Sequence, residues 1–303
     1  MSDPISYQDK VEPEMDVEQA YQHCMRLARD HYENFPTASL FIRHDLRPAI
    51  AAIYAFARAA DDMADEGDDD AGKRLKQLDA WEVLLERCEH ENVNHPVFMA
   101  LGDAIRKYKL PVSSLHDLLT AFRMDVSIHA YASVDELLFY CRHSANPVGR
   151  LVLALHGISH PAALGASDAI CTALQLTNFW QDFSCDIPNG RCYLPEEWLE
   201  SADINSTDLL KKDVSGQIRP ALSQAIEYTD ALFTKGRELL PFLPFRLKLQ
   251  IAATLRGGRK ILREVQRSHD PLHRRPSLHK GTWLLLAPLV LADALSPPYR
   301  QPR

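Results

Sequence analysis

Leu174-Gln175-Leu176-Thr177-Asn178-Phe179-Trp180-Gln181-Asp182-Phe183-Ser184-Cys185-Asp186 ends an apolar run with oxygen-bearing side chains at positions 178, 182 and 186. Four residues turn an α-helix through about 400°, so each of these side chains is rotated only about 40° from the last and all three share one face. The flanking Leu174, Leu176, Phe179 and Trp180 make the helix greasy elsewhere. Carboxylates set in such surroundings are costly to desolvate unless paired or bound to a cation.

A second cluster lies upstream. In Tyr54-Ala55-Phe56-Ala57-Arg58-Ala59-Ala60-Asp61-Asp62-Met63-Ala64-Asp65-Glu66-Gly67 an apolar helix runs into acids, with Asp61 and Asp65 about 40° apart. Taken alone, the run from Asp61 to Asp70 reads as a solvated acidic face. An EF-hand is excluded, because Gly67 at the sixth loop position would put Ala64 at the third and Lys73 at the twelfth. Paired with the later motif, the meaning changes. Two such helices facing each other would form a cage of hard oxygen ligands from Asp61, Asp62, Asp65, Asn178, Asp182 and Asp186, which suits Mg²⁺ shared with phosphate oxygens.

The remaining chain is helical in period. Asp16 predicts an N-cap for a helix from Val17 that breaks at Asn34-Phe35-Pro36, and Pro48 suits the first turn of a helix ending near Gly67. Further periods cover residues 73–88, 95–107, 113–129, 134–144, 147–156, 167–183, 214–239, 245–266 and 278–295. No stretch alternates with β-branched enrichment, and Asn189-Gly190 stands outside any strand pair, so it reads as a loop. The expectation is an all-α protein, a single large helical domain over residues 16–296 around a central cavity, with tails at 1–15 and 297–303.

A net charge of −7 and a pI near 6.0 speak against a nucleic-acid partner. The basic run Arg256, Arg259, Lys260, Arg263, Arg267, Arg274, Arg275 and Lys280 suits a diphosphate or anionic lipid headgroups as well as a solvated helix face. The apolar run from Trp283 to Ala292 is shorter than the ~20 residues that span a bilayer. It reads as a core helix interrupted by Pro288 or as a peripheral membrane contact. Six scattered cysteines form no C-x-x-C pair and no secretory signal precedes them, which points to a reducing cytoplasm, with the inner face of the cytoplasmic membrane as the place of any contact. Cys185 and Cys192 lack zinc-site partners and read as small packing residues.

The motifs together resemble the squalene and phytoene synthase family: Asp61-Asp62-x-x-Asp65 after Tyr54 and Arg58, then Met124-Asp125, then Asn178-x3-Asp182-x3-Asp186-x3-Gly190-Arg191-x-Tyr193-Leu194-Pro195. The resemblance spans residues 17 to 290 and implies the class I isoprenoid (terpenoid) synthase fold, with the matched carboxylates binding several Mg²⁺ ions and a prenyl diphosphate. Catalysis then needs no nucleophile, since the metal neutralises the departing diphosphate. Arg58 and Arg191, each beside a motif, have forked donors to grip it, with Tyr193 donating to phosphate or anchoring its loop. Tyr54, Phe56, Phe122, Tyr140, Phe179 and Trp180 offer faces to a carbocation, although core packing is the commoner role of each.

Departures narrow the resemblance. His31-Tyr32-Glu33-Asn34-Phe35-Pro36 replaces a Ser-Lys-x-Phe element, Ser144-Ala145-Asn146-Pro147-Val148-Gly149 replaces Ala-Gly-x-Val-Gly, and Gly257-Gly258 stands where a tyrosine is usual. These resemble the bacterial hydroxysqualene synthase branch of hopanoid biosynthesis, which ionises presqualene diphosphate and captures the rearranged cation with water, without NADPH. Ser144, Asn146 and space at Gly258 are the expected water site. Two other readings stay open: a head-to-head condensing enzyme acting on farnesyl diphosphate to give presqualene diphosphate, squalene or dehydrosqualene, and a non-enzymatic scaffold. Other enzymes of squalene biosynthesis are the expected protein partners.

Overall fold

A computed structural model describes residues 15–30, 43–67, 69–211, 214, 216–278, 280–297 and 299. The expected tail at 1–15, apart from Met15, the break at Asn34-Phe35-Pro36 with the element it belongs to, and most of the tail at 297–303 lie outside these residues. The described residues are helical and contain no strand, only an isolated bridge between Ala130 and Cys192. They group into two compact units, one ending at Ser127 and the other starting at Ile128.

The first unit holds α1 (Val17–Asp30), α2 (Arg47–Asp65), α3 (Ala71–His90), α4 (Pro96–Tyr108) and α5 (Val112–Ser127). Asp16 caps α1 as expected: its Oδ1 accepts from the Gln19 N–H at 2.8 Å while Gln19 Oε1 accepts from the Asp16 N–H at 3.1 Å, a reciprocal capping box. Pro48 sits in the first turn of α2. Buried Ala49, Ala52, Ala55, Ala59 and Ala60 let α1, α3, α4 and α5 close on α2. Beneath them Phe56, Trp81 and Phe98 interlock, with the Trp81–Phe98 rings 4.5 Å apart and Trp81 Nε1 donating to the Phe56 carbonyl.

The second unit is built on α8 (Pro161–Gln181), which follows α6 (Val134–Ser144) and α7 (Asn146–Leu155). Short α9 (Phe183–Asp186), α10 (Glu196–Glu200) and α11 (Ser206–Lys211) lead to α12 (Arg219–Gly236), α13 (Phe245–Arg267) and α14 (Lys280–Ala294). Helices α6, α7, α12 and α13 all pack on α8, and α14 packs on α13. No helix among the described residues is long and apolar enough to cross a membrane.

One expectation needs correction. The helix over 167–183 starts earlier, at Pro161, and ends at Gln181, with Asp182 at φ −101°, ψ 14° separating it from α9. The hydrogen bonds nevertheless carry the four-residue step across the break, from the Asp182 N–H to Asn178 O and from the Asp186 N–H to Asp182 O, each 2.9 Å.

Candidate active site

In the first unit the acidic motif occupies the last turn of α2, which closes through the Glu66 N–H to Asp62 O at 2.9 Å before Gly67 turns away at φ +83°. Arg58, one turn earlier, reaches Asp61 at 3.3 Å, Asp62 at 2.6 Å and Glu66 at 2.7 Å. Arg74 of α3 pins the chain beyond, donating to the carbonyls of Ala64, Gly67 and Asp69. Desolvation raises the pKa of Asp61 to about 6; Arg58 opposes the rise, and Asp65, Asp62 and Glu66 add to it. Tyr54 stands in the same field: desolvation raises its phenol, Arg58 lowers it, and Asp62 and Asp61 raise it. Phe56 is wholly buried against Trp81 and Phe98, which assigns it to the core.

In the second unit Asp182 is held by an arginine that sequence spacing did not reveal. Arg275 donates Nε to Oδ1 and Nη2 to Oδ2, the latter at 3.1 Å, in a two-pronged pair. The neighbouring Gln181 Nε2 donates to Pro276 O at 2.6 Å, so residues 275–276 strap the end of α8. Desolvation raises the pKa of Asp186 to about 6; Asp182 adds to the rise, and Arg191 and Arg275 oppose it. The chain then makes a 3₁₀ turn over Ile187–Asn189, and Gly190 takes a left-handed φ of 78° that brings the Arg191 N–H back to Asp186 O at 3.0 Å. The Asn189-Gly190 loop expectation holds.

Tyr193 lies flat on Phe179, with centroids 3.7 Å apart and planes 6° from parallel, and Tyr131 and Tyr140 surround the pair. This stack anchors the loop after Asp186 to α8. Trp180 is fully buried and donates Nε1 to Thr229, a core role. Along α8, Asn178 is exposed and Cys171, Leu174 and Gln175 behind it are half-buried, while Ala173, Leu176, Thr177 and Phe179 are buried. That helical stripe is the open side of the helix, and Asn178 stands at its end.

Asn146 is 6% exposed at the start of α7, and its Oδ1 accepts from Thr172 Oγ1 of α8 at 2.9 Å. Ser144 Oγ, two residues earlier, is buried with no protein hydrogen-bond partner. The expected space at Gly258 is absent. A Cβ there would lie 2.8 Å from Phe233 and 2.9 Å from Leu174, and one at Gly257 2.9 Å from Trp283, so the pair serves close helix packing. Cys192 is buried, as its packing role requires, but Cys185 is exposed and packs no core.

Among the described residues no three His, Cys, Asp or Glu side chains converge as a ready-made metal cage. Each motif instead offers acids already balanced by an arginine, Arg58 in one and Arg275 in the other. In each unit hard oxygen donors, among them one carboxylate raised to about 6 by desolvation and its neighbouring acids, fit Mg²⁺ that completes its shell with phosphate oxygens and water.

The family model described as Squalene/phytoene synthase matches residues 28–282. The chain belongs to the squalene/phytoene synthase family. It is 38% identical to the hydroxysqualene synthase of Rhodopseudomonas palustris over 249 residues, 81% of this chain and 83% of that protein. The hydroxysqualene synthase of Zymomonas mobilis is 35% identical over 267 residues, 87% of this chain and 88% of the relative. The crystal structure of squalene synthase HpnC from Alicyclobacillus acidocaldarius superposes with a TM-score of 0.79 at 37% identity, covering 84% of this chain and 95% of that one. The fold is therefore the class I isoprenoid synthase fold, and the protein is an enzyme of a head-to-head prenyl-condensing family. Squalene/phytoene synthase family members bind prenyl diphosphates, typically with Mg²⁺.

Proposed function

We propose that this enzyme ionises presqualene diphosphate and adds water to the rearranged cation, giving hydroxysqualene and diphosphate. The observation that carries the reading is the buried polar pair Asn146–Thr172, with the unsatisfied Ser144 hydroxyl two residues before it. A buried hydroxyl without a partner is costly, and a water beside Ser144 accounts for it. Thr172 commits the Asn146 Oδ1, so the amide Nδ2 hydrogens hold a water by one lone pair and leave the other for a carbon electrophile. The names of the two curated relatives agree with this product.

In this reading Asp61, Asp62 and Asp65 of one motif and Asn178, Asp182 and Asp186 of the other would hold Mg²⁺, and the metal would supply charge neutralisation for the leaving diphosphate. Arg58, Arg191 and Arg275 have forked donors that would grip the diphosphate, Arg58 and Arg275 being the ones that now hold the motif carboxylates. The C–O bond breaks with its electron pair on the diphosphate, the carbon skeleton rearranges, and water oxygen bonds the cation. The proton released goes to the diphosphate, the strongest base then in the site. Tyr140 lends a ring face to the cation, and the Phe179–Tyr193 stack keeps the loop with Arg191 in place.

The second reading, condensation of two farnesyl diphosphates, has the printed name of the solved HpnC relative, a squalene synthase, in its favour. Incubation with presqualene diphosphate, Mg²⁺ and ¹⁸O-water, followed by mass spectrometry, separates them. Label in a C30 alcohol is expected; an unlabelled hydrocarbon formed only with NADPH would sink the proposal. Asn146→Ala is expected to lower the share of alcohol among products. An unchanged ratio removes Asn146 from water placement.

A further inference from the structure

Helix α14 is built inside out. Its one acidic residue, Asp293, is 7% exposed and faces inward, where it accepts from Arg237 at 2.8 Å and from Arg256 at 2.7 and 3.0 Å. Trp283, Leu286, Val290 and Ala294 lie toward the same side at helical spacing, with the Trp283 ring against the backbone of Gly257 on α13. The outward side carries Leu284, Leu285, Pro288, Leu289, Leu291 and Leu295 and no charge, and Leu284 and Leu285 are 79% and 77% exposed. An ordinary surface helix places charge outward and leucine inward. Exposed apolar faces of this kind mark an interaction site.

Charge selects the occupant. From Phe245 to the end of the chain twelve Lys and Arg meet three acids, whereas the whole protein carries −7. Arg246 and Arg274 are exposed within this segment, and Phe245, 55% exposed, stands at the end of α13 that Lys248 ties to Ser296 of the α14 terminus at 3.0 Å. A second copy would bring like charges together around the leucines. A bilayer with anionic headgroups meets the arginines with opposite charge and takes the leucines among its acyl chains. Fifteen helical residues measure about 22 Å, short of the ~30 Å hydrocarbon core, so the helix lies along the surface and does not span it.

We propose that α14 is a docking helix for an anionic lipid bilayer, inserted by its leucine face and held by the exposed Arg246, Arg263, Arg267 and Arg274. Flotation of the full-length protein with phosphatidylcholine vesicles, with and without 30 mol% phosphatidylglycerol, tests this. Binding is expected to anionic vesicles, roughly tenfold weaker to neutral ones and weakened by salt. Leu284→Asp/Leu285→Asp is expected to lower the bound fraction at least about tenfold with the thermal midpoint unchanged, since both side chains are exposed. Arg246→Glu, which leaves the leucines intact, is expected to weaken binding to anionic vesicles only. Equal binding by parent and leucine variants overturns the proposal. So does a parent dimer that the leucine variants split and that never floats with vesicles, because the face is then a contact between copies.

Discussion

At Asp61 and Asp186 the ionised carboxylate is the costly form, because desolvation and neighbouring acids raise both groups from 3.8 to about 6. A carboxyl whose folded pKa lies above its unfolded one binds more protons when folded, so the metal-free protein gains stability as pH falls from about 6 toward 3.8 and bears the full cost above 6. Asp61→Asn and Asp186→Asn remove that cost. Each is expected to stabilise the metal-free protein at pH 8 by about 1 kcal/mol after discounting for solvent screening, with the gain fading below about pH 4, while turnover is lost. Thermal midpoints across pH check this, and a drop at pH 8 would show that the carboxylates are not crowded. Arg275→Ala is expected to raise KM for the diphosphate roughly tenfold with a smaller change in kcat; the reverse split in steady-state kinetics would place Arg275 outside the diphosphate site. The carboxylates were legible in the sequence because a four-residue step is local. The pairings of Arg74 with Ala64 and of Arg275 with Asp182 are not legible there, since the partners lie 10 and 93 residues away and no periodicity links them.

Among elements, the helices with a clear apolar stripe were readable to within a few residues: 134–144 was expected and found, and 245–266 became Phe245–Arg267. Helix α8 began six residues before its expected start because Pro161-Ala162-Ala163-Leu164-Gly165-Ala166 has little apolar contrast. What starts it is local chemistry, the His160 Nδ1 accepting from the Ala162 N–H and Pro161 in the first turn. Short α10 and α11 escaped notice because one turn carries too few residues to show a period. The 214–239 segment likewise resolved into α12 over Arg219–Gly236 and a 3₁₀ turn over Arg237–Phe242. Gly258 reads as room for water because a missing side chain looks like space in a sequence, whereas in the fold Phe233 and Leu174 fill it. Gly258→Ala drives a methyl into Phe233 and Leu174 and is expected to cost about 1–3 kcal/mol in a denaturant titration. A neutral result would show that α13 can move away from α8 and α12 without penalty.

For the molecule as a whole, the all-α class followed from periodicity alone, and the family from the order of motifs along the chain; the two units and the inverted α14 needed three dimensions, because burial of one face against another is not written in composition. Stability against acid also belongs to this scale, since several groups act together. His95, at the start of α4, packs edge-on to Trp81 at 5.2 Å and near Phe98 at 5.3 Å, and burial lowers its pKa from 6.5 to about 4, with His23 contributing. A base whose folded pKa is depressed binds fewer protons when folded. Its stabilising share is complete above pH 6.5, declines as the unfolded chain protonates, and is gone near pH 4, a loss on the order of 3 kcal/mol. Asp61 and Asp186 act in the opposite direction over nearly the same window, so the unfolding free energy of the parent changes less between pH 7 and 4 than His95 alone implies. The difference between parent and His95→Gln isolates the histidine. Gln cannot titrate, so the variant, destabilised at pH 7 by its poorer packing on Trp81, is expected to approach or pass the parent by pH 4. A parent-minus-variant difference that stays constant from pH 7 to 4 in urea titrations would mean that His95 protonates as readily in the folded protein as in the unfolded chain.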